Sequence, residues 1–138
     1  MANIMRQQHT TENRHGVAAT ELAVCMPIIL VLILGTMQAC SMFYLKQNLT
    51  VSAYEGIRTS VEYRVQDDDV RATCLQILAD RNVQGGAVTI EPSNFTQQPP
   101  GTWITVTVTA PTKRNSPVGC WFYQANDMTA SATMMKEF

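Results

Sequence analysis

The sequence predicts an α+β fold in which a long N-terminal helix leads into a small domain made of a second helix and a three-stranded antiparallel sheet. Three observations predict it: an uncharged run of 24 residues from Leu22 to Leu45, a helical apolar spacing beyond that run, and three alternating segments near the C-terminus. At about 1.5 Å per residue the uncharged run makes a helix of about 36 Å, long enough to cross a bilayer with some tilt.

The first helix is predicted to cover residues 17–63, because apolar residues continue at helical spacing after Lys46. Pro27 lies inside the uncharged run. Proline removes a backbone donor and crowds the preceding turn, so we expect a helix kink or local melting at Pro27. The residues of the outer stripe are Leu49, Ala53, Ile57 and Val61.

A second helix is predicted to begin at Asp67–Asp69, whose carboxylates suit the N-terminal end of a helix, and to end before Gly85 and Gly86. Helix capping also explains the acidic run better than a cation site, since the later glutamate of a calcium loop is missing. The predicted apolar face consists of Val70, Cys74, Ile77 and Leu78.

Three segments alternate in polarity and predict the strands of the sheet: Ala87–Glu91, Trp103–Ala110 and Met128–Met135. Ser93–Gly101 and Thr112–Gly119 are predicted to be loops. With both helices packed on one face of the sheet, these elements predict a small α+β domain.

The predicted organisation has three parts: residues 1–16 form a short cytoplasmic leader, residues 17–45 a transmembrane helix, and residues 46–138 an extracytoplasmic domain. Arg6 and Arg14 in the leader favour a cytoplasmic N-terminus with the rest of the chain translocated. The formal net charge of −1 and scattered Lys and Arg residues exclude a basic face for nucleic acid.

The sequence predicts no metal site, no cofactor and no enzymatic activity, because no histidine follows His15 and no Cys-x-x-Cys pair occurs. Cys25 and Cys40 lie in the apolar run, where they are expected to pack as small apolar side chains. Cys74 and Cys120 lie in the exported part and form a possible disulfide between the second helix and the loop before the last strand.

The leader and the apolar run together carry a family resemblance. Residues 14–46 read RHGVAATELAVCMPIILVLILGTMQACSMFYLK, and this arrangement resembles the processing site of type IV prepilins. The chain is further similar to the TadE-like pseudopilins of the tight-adherence secretion machinery. The matching residues are Gly16, Glu21, Pro27, Gly35 and the later Ala53-x-Glu55-Gly56-x-Arg58.

This resemblance implies that a prepilin peptidase cleaves the chain between Gly16 and Val17. It further implies that Glu21 serves in assembly, by pairing with the new Val17 amine of a neighbouring subunit. The implied partners are the peptidase, other pilin or pseudopilin subunits, pilus assembly proteins and the lipid bilayer. The implied location is the bacterial inner membrane, with incorporation into a pilus for adhesion or secretion.

Two alternatives stay open at this point. The chain could be a signal-anchored envelope binding module that keeps its leader, in which case Glu21 would be a carboxylate tolerated in the headgroup region. An envelope enzyme that uses Cys74 or the Asp67–Asp69 run is the third hypothesis. Removal of the leader distinguishes the pseudopilin from the signal-anchored binding module.

Overall fold

The computed structural model describes residues 2–62, 65–116 and 126–137, with side chains described from residue 16 onward. The chain divides into two compact units, Met1–Met37 and Gln38–Phe138. The predicted α+β fold is confirmed, since the structure contains the long apolar helix, the second helix and a three-stranded antiparallel sheet.

The first helix, α1, covers Ala2–Ser60 and therefore begins earlier than predicted. The residues before Gly16 include no glycine or proline, so nothing in the leader interrupts the helical backbone. The helix also ends earlier than predicted: Val61 and Glu62 form a tighter turn, in which the Glu62 amide donates to the Thr59 carbonyl at 3.1 Å. Between these ends the helical assignment runs through Pro27 without a break, so no local melting occurs there, while the kink stays a prediction.

The second helix, α2, covers Asp67–Asp80. Its N-terminus is closed by Asp69, whose carboxylate accepts a hydrogen bond from the Gln66 backbone amide at 3.0 Å. The helix ends well before the glycine pair, because Asn82 adopts a positive φ of 56° that turns the chain away. Three of the four predicted apolar residues, Val70, Cys74 and Leu78, are buried.

The sheet consists of β1 (Ala87–Glu91), β2 (Trp103–Pro111) and β3 (Asp127–Met135), in the order β1-β2-β3. Both pairs are antiparallel, and Val106 lies opposite Ile90 on one side and Ala132 on the other. The predicted strands are confirmed, and β2 and β3 are each one residue longer than predicted. A 3₁₀ turn at Phe95–Gln97 and a short helix α3 at Thr112–Asn115 occupy segments predicted as loops.

The core of the second unit lies between one face of the sheet and the two helices. Ile104, Val106 and Val108 of β2 are fully buried, whereas the intervening threonines are half-buried on the opposite face. Phe95, from the 3₁₀ turn, joins this core. The helical contribution comes from Leu45, Leu49, Ala53, Ile57, Val70, Cys74 and Leu78.

Candidate processing and assembly site

Most of the apolar part of α1 is exposed, and none of its residues from Gly16 to Ile33 is covered by another described side chain. The side chains from Gly16 to Ile33 are all exposed, and the large apolar ones include Val17, Leu22 and Leu32. By length and composition this helix can cross a membrane. Exposure of these side chains to water is energetically costly, and no other described residue covers them.

Gly16 lies on the open surface of α1. A Cβ built at this residue has no heavy atom within 4 Å among its described surroundings. One turn later, the Thr20 hydroxyl donates to the Val17 carbonyl at 2.7 Å. The backbone at the predicted cleavage position is therefore helical and accessible from one side, and no tertiary contact of the described residues covers it.

Glu21 is exposed one helical turn after Val17, on the same side of the helix. It is the only charged residue between Gly16 and Leu45. No ion pair to Glu21 is found among the residues whose side chains are described. The helix thus presents one carboxylate on an otherwise uncharged surface, which is an energetically unfavourable placement in hydrocarbon unless a counter-charge lies close to it.

Pro27 lies on the same apolar surface. Since proline has no backbone N–H, the carbonyl of Ala23 lacks its usual helical donor. Gly35 resembles Gly16 in being open, with no heavy atom within 4 Å of a Cβ built on it. Pro27 therefore shares the exposed segment with Gly16 and Glu21, Gly35 lies half-buried just beyond it, and the four residues do not converge on a described pocket.

The later residues of the predicted motif serve packing. Ala53 is fully buried, and a Cβ placed on Gly56 would lie 2.2 Å from the Cys74 Sγ and 3.4 Å from a Val106 methyl group. Gly56 therefore permits the close crossing of α1 over α2 and the sheet. The exposed Arg58 and Glu55 approach each other at 3.9 Å on the outer side of the helix. The family resemblance included Gly56, but the side chain that requires a glycine there belongs to another element, α2.

Cys74 lies at this helix crossing and is fully buried. Its Sγ donates to the Ser52 carbonyl at 3.4 Å, and the Ser52 hydroxyl donates to the Cys74 carbonyl at 3.0 Å. Burial raises the pKa of the Cys74 thiol, and the hydrogen bond with Ser52 opposes part of that rise. Cys120 lies outside the described residues, so the Cys74–Cys120 disulfide stays a prediction that non-reducing peptide mapping tests.

Polar residues that the sequence analysis did not single out are also buried along α1. Gln38 is only 2% exposed, and Asn48 accepts a hydrogen bond from Arg81 at 2.8 Å through its side-chain oxygen. Their regular helical spacing with Leu45 and Leu49 is the signal that could have revealed them. Gln38 also marks where packing begins, ahead of the predicted domain boundary at residue 46.

No cluster of three or more His, Cys, Asp and Glu side chains that could hold a metal ion occurs within the described parts of the chain. The acidic run lies beside a groove of about 750 Å³ whose lining includes Glu62, Asp67, Asp68 and Lys136. The Lys136 ammonium donates to the carbonyls of Phe95, Thr96 and Gln98 at 3.0, 3.1 and 2.7 Å. This lysine therefore fixes the 3₁₀ turn.

Within the described residues, the structure therefore contains one helix that is long and apolar enough to cross a membrane, and it continues into a small α+β domain. Residues 16–58 match the model of the TadE-like protein family. The match supports a TadE-like protein of the tight-adherence system. It covers the exposed segment and the packed half of α1, while α2 and the sheet lie beyond it. No curated protein and no solved structure matches the chain.

Proposed function

We propose that this chain is a minor pseudopilin of a tight-adherence pilus or secretion apparatus, anchored in the bacterial inner membrane, trimmed by a prepilin peptidase after Gly16 and assembled with other pilin subunits. The observation that carries the proposal is the exposed apolar helix with the single carboxylate of Glu21, within a segment that matches the TadE-like family from Gly16 onward. TadE-like pilus components are structural proteins, which agrees with a non-enzymatic role.

The membrane anchor follows from the exposed apolar side chains of α1. From Val17 to Met37 the helix is about 30 Å long at about 1.5 Å per residue, close to the thickness of a hydrocarbon core. The leader carries the cations Arg6 and Arg14, which favour retention of the N-terminus in the cytoplasm. On this proposal the second unit, Gln38–Phe138, faces away from the cytoplasm.

Cleavage after Gly16 is proposed because a peptidase must approach the backbone closely at the bond that it cuts. A residue without a Cβ eases that approach. The surroundings of Gly16 are open, so packing within the described residues does not explain the glycine, whereas recognition by an enzyme does.

N-terminal sequencing and intact mass of the native membrane protein test the cleavage. We expect the mature chain to begin at Val17, and we expect Gly16→Leu to remain full length. Gly35→Leu is the matched control, since Gly35 is equally open and should leave processing unchanged. A mature chain that begins at Met1 or Ala2 in cells with active peptidase would overturn the proposal in favour of a signal-anchored binding module.

Glu21 is proposed to pair with the Val17 amine of a neighbouring processed subunit. Both groups are charged, and in a medium of low dielectric an unpaired charge is far more costly than a hydrogen-bonded pair. Glu21 has no counter-charge among the described side chains, which supports a pair with a neighbouring subunit.

The substitution Glu21→Gln separates processing from assembly. We expect cleavage after Gly16 to stay near the wild-type level, while co-purification with other pilin subunits falls severalfold because the amine loses its partner. Glu55→Gln is the control, since it removes an exposed carboxylate from the packed half of α1. Wild-type assembly by trimmed Glu21→Gln protein would refute the pairing and leave the cleavage untouched.

A further inference from the structure

The second unit has an uneven distribution of charge between its two ends. One end is where α1 enters the unit, at residues 38–47. Grooves at that end bring Arg114 beside Tyr44, and Arg81 beside Lys46. Lys113 is exposed next to Arg114 on α3. This group of four cations, Lys46, Arg81, Lys113 and Arg114, is called the entry-end basic patch below.

Few acidic groups offset the entry-end basic patch. Asp127 lines a groove with Lys46, and Asp80 lies in the last turn of α2, where it accepts a hydrogen bond from Gln76. Among the described residues, the patch therefore has an excess of two positive charges at this end. At the opposite end, the described lining of the groove beside the 3₁₀ turn includes three carboxylates, Glu62, Asp67 and Asp68, and one ammonium, that of Lys136.

Aromatic side chains accompany the entry-end basic patch. Phe43 is 72% exposed and Tyr44 is 56% exposed, although both belong to a helix whose neighbouring Leu45 is buried. Exposed aromatic rings next to cations are typical of protein surfaces at the boundary between hydrocarbon and water. The uncharged run of the sequence also ends here, because Lys46 is the first charge after Glu21.

We propose that this end of the second unit is a docking surface for the headgroups of an anionic phospholipid bilayer. The occupant follows from charge complementarity with lipid phosphates and from the covalent continuity of residues 38–46 with the apolar segment. Cations near an anionic surface are attracted to it within about one Debye length, which is about 10 Å at 0.1 M salt. The inference rests on the membrane anchor proposed above and adds to it a lipid-dependent orientation of the exported domain.

The contacts of the patch are compatible with this role. The Lys46 ammonium donates to the Thr129 carbonyl, and Arg81 donates to Asn48, so these two cations are held at the surface by the fold. Lys113 and Arg114 are exposed on α3 and are the cations that can adjust to a lipid phosphate. Neutralising Arg114 should therefore reduce lipid contact without disturbing the core.

The test uses the full chain reconstituted into vesicles of phosphatidylcholine, either alone or mixed with phosphatidylglycerol. Hydrogen exchange is measured for peptides that cover residues 112–116, and peptides that cover residues 95–101 at the opposite end serve as an internal reference. We expect exchange in 112–116 to slow severalfold only in the phosphatidylglycerol vesicles, and to recover at 1 M salt, where the Debye length is about 3 Å.

Arg114→Gln should lose most of this protection, and Lys113→Gln with Arg114→Gln should lose all of it. Arg58→Gln is the matched control, because it removes one exposed cation from another part of the same unit. Unchanged exchange in residues 95–101 shows that each variant is folded. Equal exchange of residues 112–116 in both lipids, or equal loss of protection in Arg114→Gln and Arg58→Gln, would overturn the inference.

Three further outcomes distinguish failure of the docking surface from failure of the membrane anchor. Protection that follows the density of protein in the vesicles, rather than the fraction of phosphatidylglycerol, would assign the surface to another protein and overturn the lipid docking. A chain that carbonate washing extracts from both kinds of vesicle would overturn the membrane anchor itself. A chain that stays inserted but shows no lipid dependence would overturn only the docking surface.

Discussion

The two units of the chain differ in what their apolar side chains contact. In the first unit the large apolar residues, such as Val17 and Leu32, are exposed, whereas in the second unit those of the core, such as Leu49 and Ile57, are buried. Packing within the chain therefore accounts for the sequence of the second unit but not for that of the first. On the proposed function, lipid and other subunits contact the exposed side chains of the first unit.

The segment that matches the TadE-like family crosses both units, and its small residues illustrate the contrast. Gly56 is required by the side chain of Cys74, since even a methyl group would overlap its sulfur atom. Gly16 and Gly35 have no such neighbour among the described residues. Packing within the chain thus explains the glycine of the second unit but, as far as the structure describes the chain, not those of the first.

The largest expected effect compares two leucines of α1. Leu49→Ala removes a fully buried side chain and should lower the free energy of unfolding of the second unit by about 3 kcal/mol. Leu32→Ala, at an exposed residue of the first unit, should leave that free energy unchanged. Denaturant unfolding of the full chain in detergent micelles measures both. Equal losses would show that the first unit also has a packed core.

A smaller effect is expected from two glycines of α1. Gly56→Ala should lower the free energy of unfolding of the second unit by about 2 kcal/mol, because the added methyl group meets the Cys74 Sγ. Gly35→Ala should be neutral or slightly stabilising, since alanine favours a helix over glycine by about 1 kcal/mol and the space is open.

The same comparison can be sharpened with a double variant. Adding Cys74→Ala to Gly56→Ala removes the clashing sulfur atom, so the combined loss of stability should be smaller than the sum of the single losses. Additive losses in the unfolding free energy would mean that the two residues do not touch.

The smallest effect concerns the cysteines. In reduced protein in micelles, a thiol reagent should modify the exposed Cys40 faster than the buried Cys74. Burial raises the pKa of Cys74 in the folded chain, so the unfolded chain loses its thiol proton at lower pH. Stability should therefore fall as pH rises above the ordinary pKa of a thiol.

Cys74→Ala should remove that component of the pH dependence, and Cys40→Ser should keep it. Denaturant unfolding at neutral and alkaline pH measures the difference. A pH dependence that is identical in the wild type and Cys74→Ala would assign it to other groups.

The sequence predicted the strands well because Ile104, Val106 and Val108 alternate strictly with threonines, and this period of two is a local signal. The N-terminus of α2 was also predictable, since acidic residues favour the first turn of a helix. Phe95 was not predictable as part of the core. It is a single apolar residue in a polar segment, and its burial depends on the turn that Lys136 fixes from the far end of the chain.

For the candidate site, the sequence was more informative than the structure. Gly16 and Glu21 were identified through resemblance to a family, and the structure shows no contact within the described residues that explains either. Gly56 was quoted from the same resemblance, yet its role became clear only when α2 was placed against α1. The local sequence shows the hydrophobic period of a helix or strand, but it does not show which side chain of another element packs against it.

The hydrogen bond from Lys46 to Thr129 has a further consequence for association between copies. β3 is an edge strand of nine residues, and an uncovered edge of that length invites pairing with strands of other chains. By occupying the Thr129 carbonyl, the lysine blocks strand addition near the start of that edge. If a membrane holds many copies close together, as the proposed function implies, this contact disfavours pairing between sheets at Thr129.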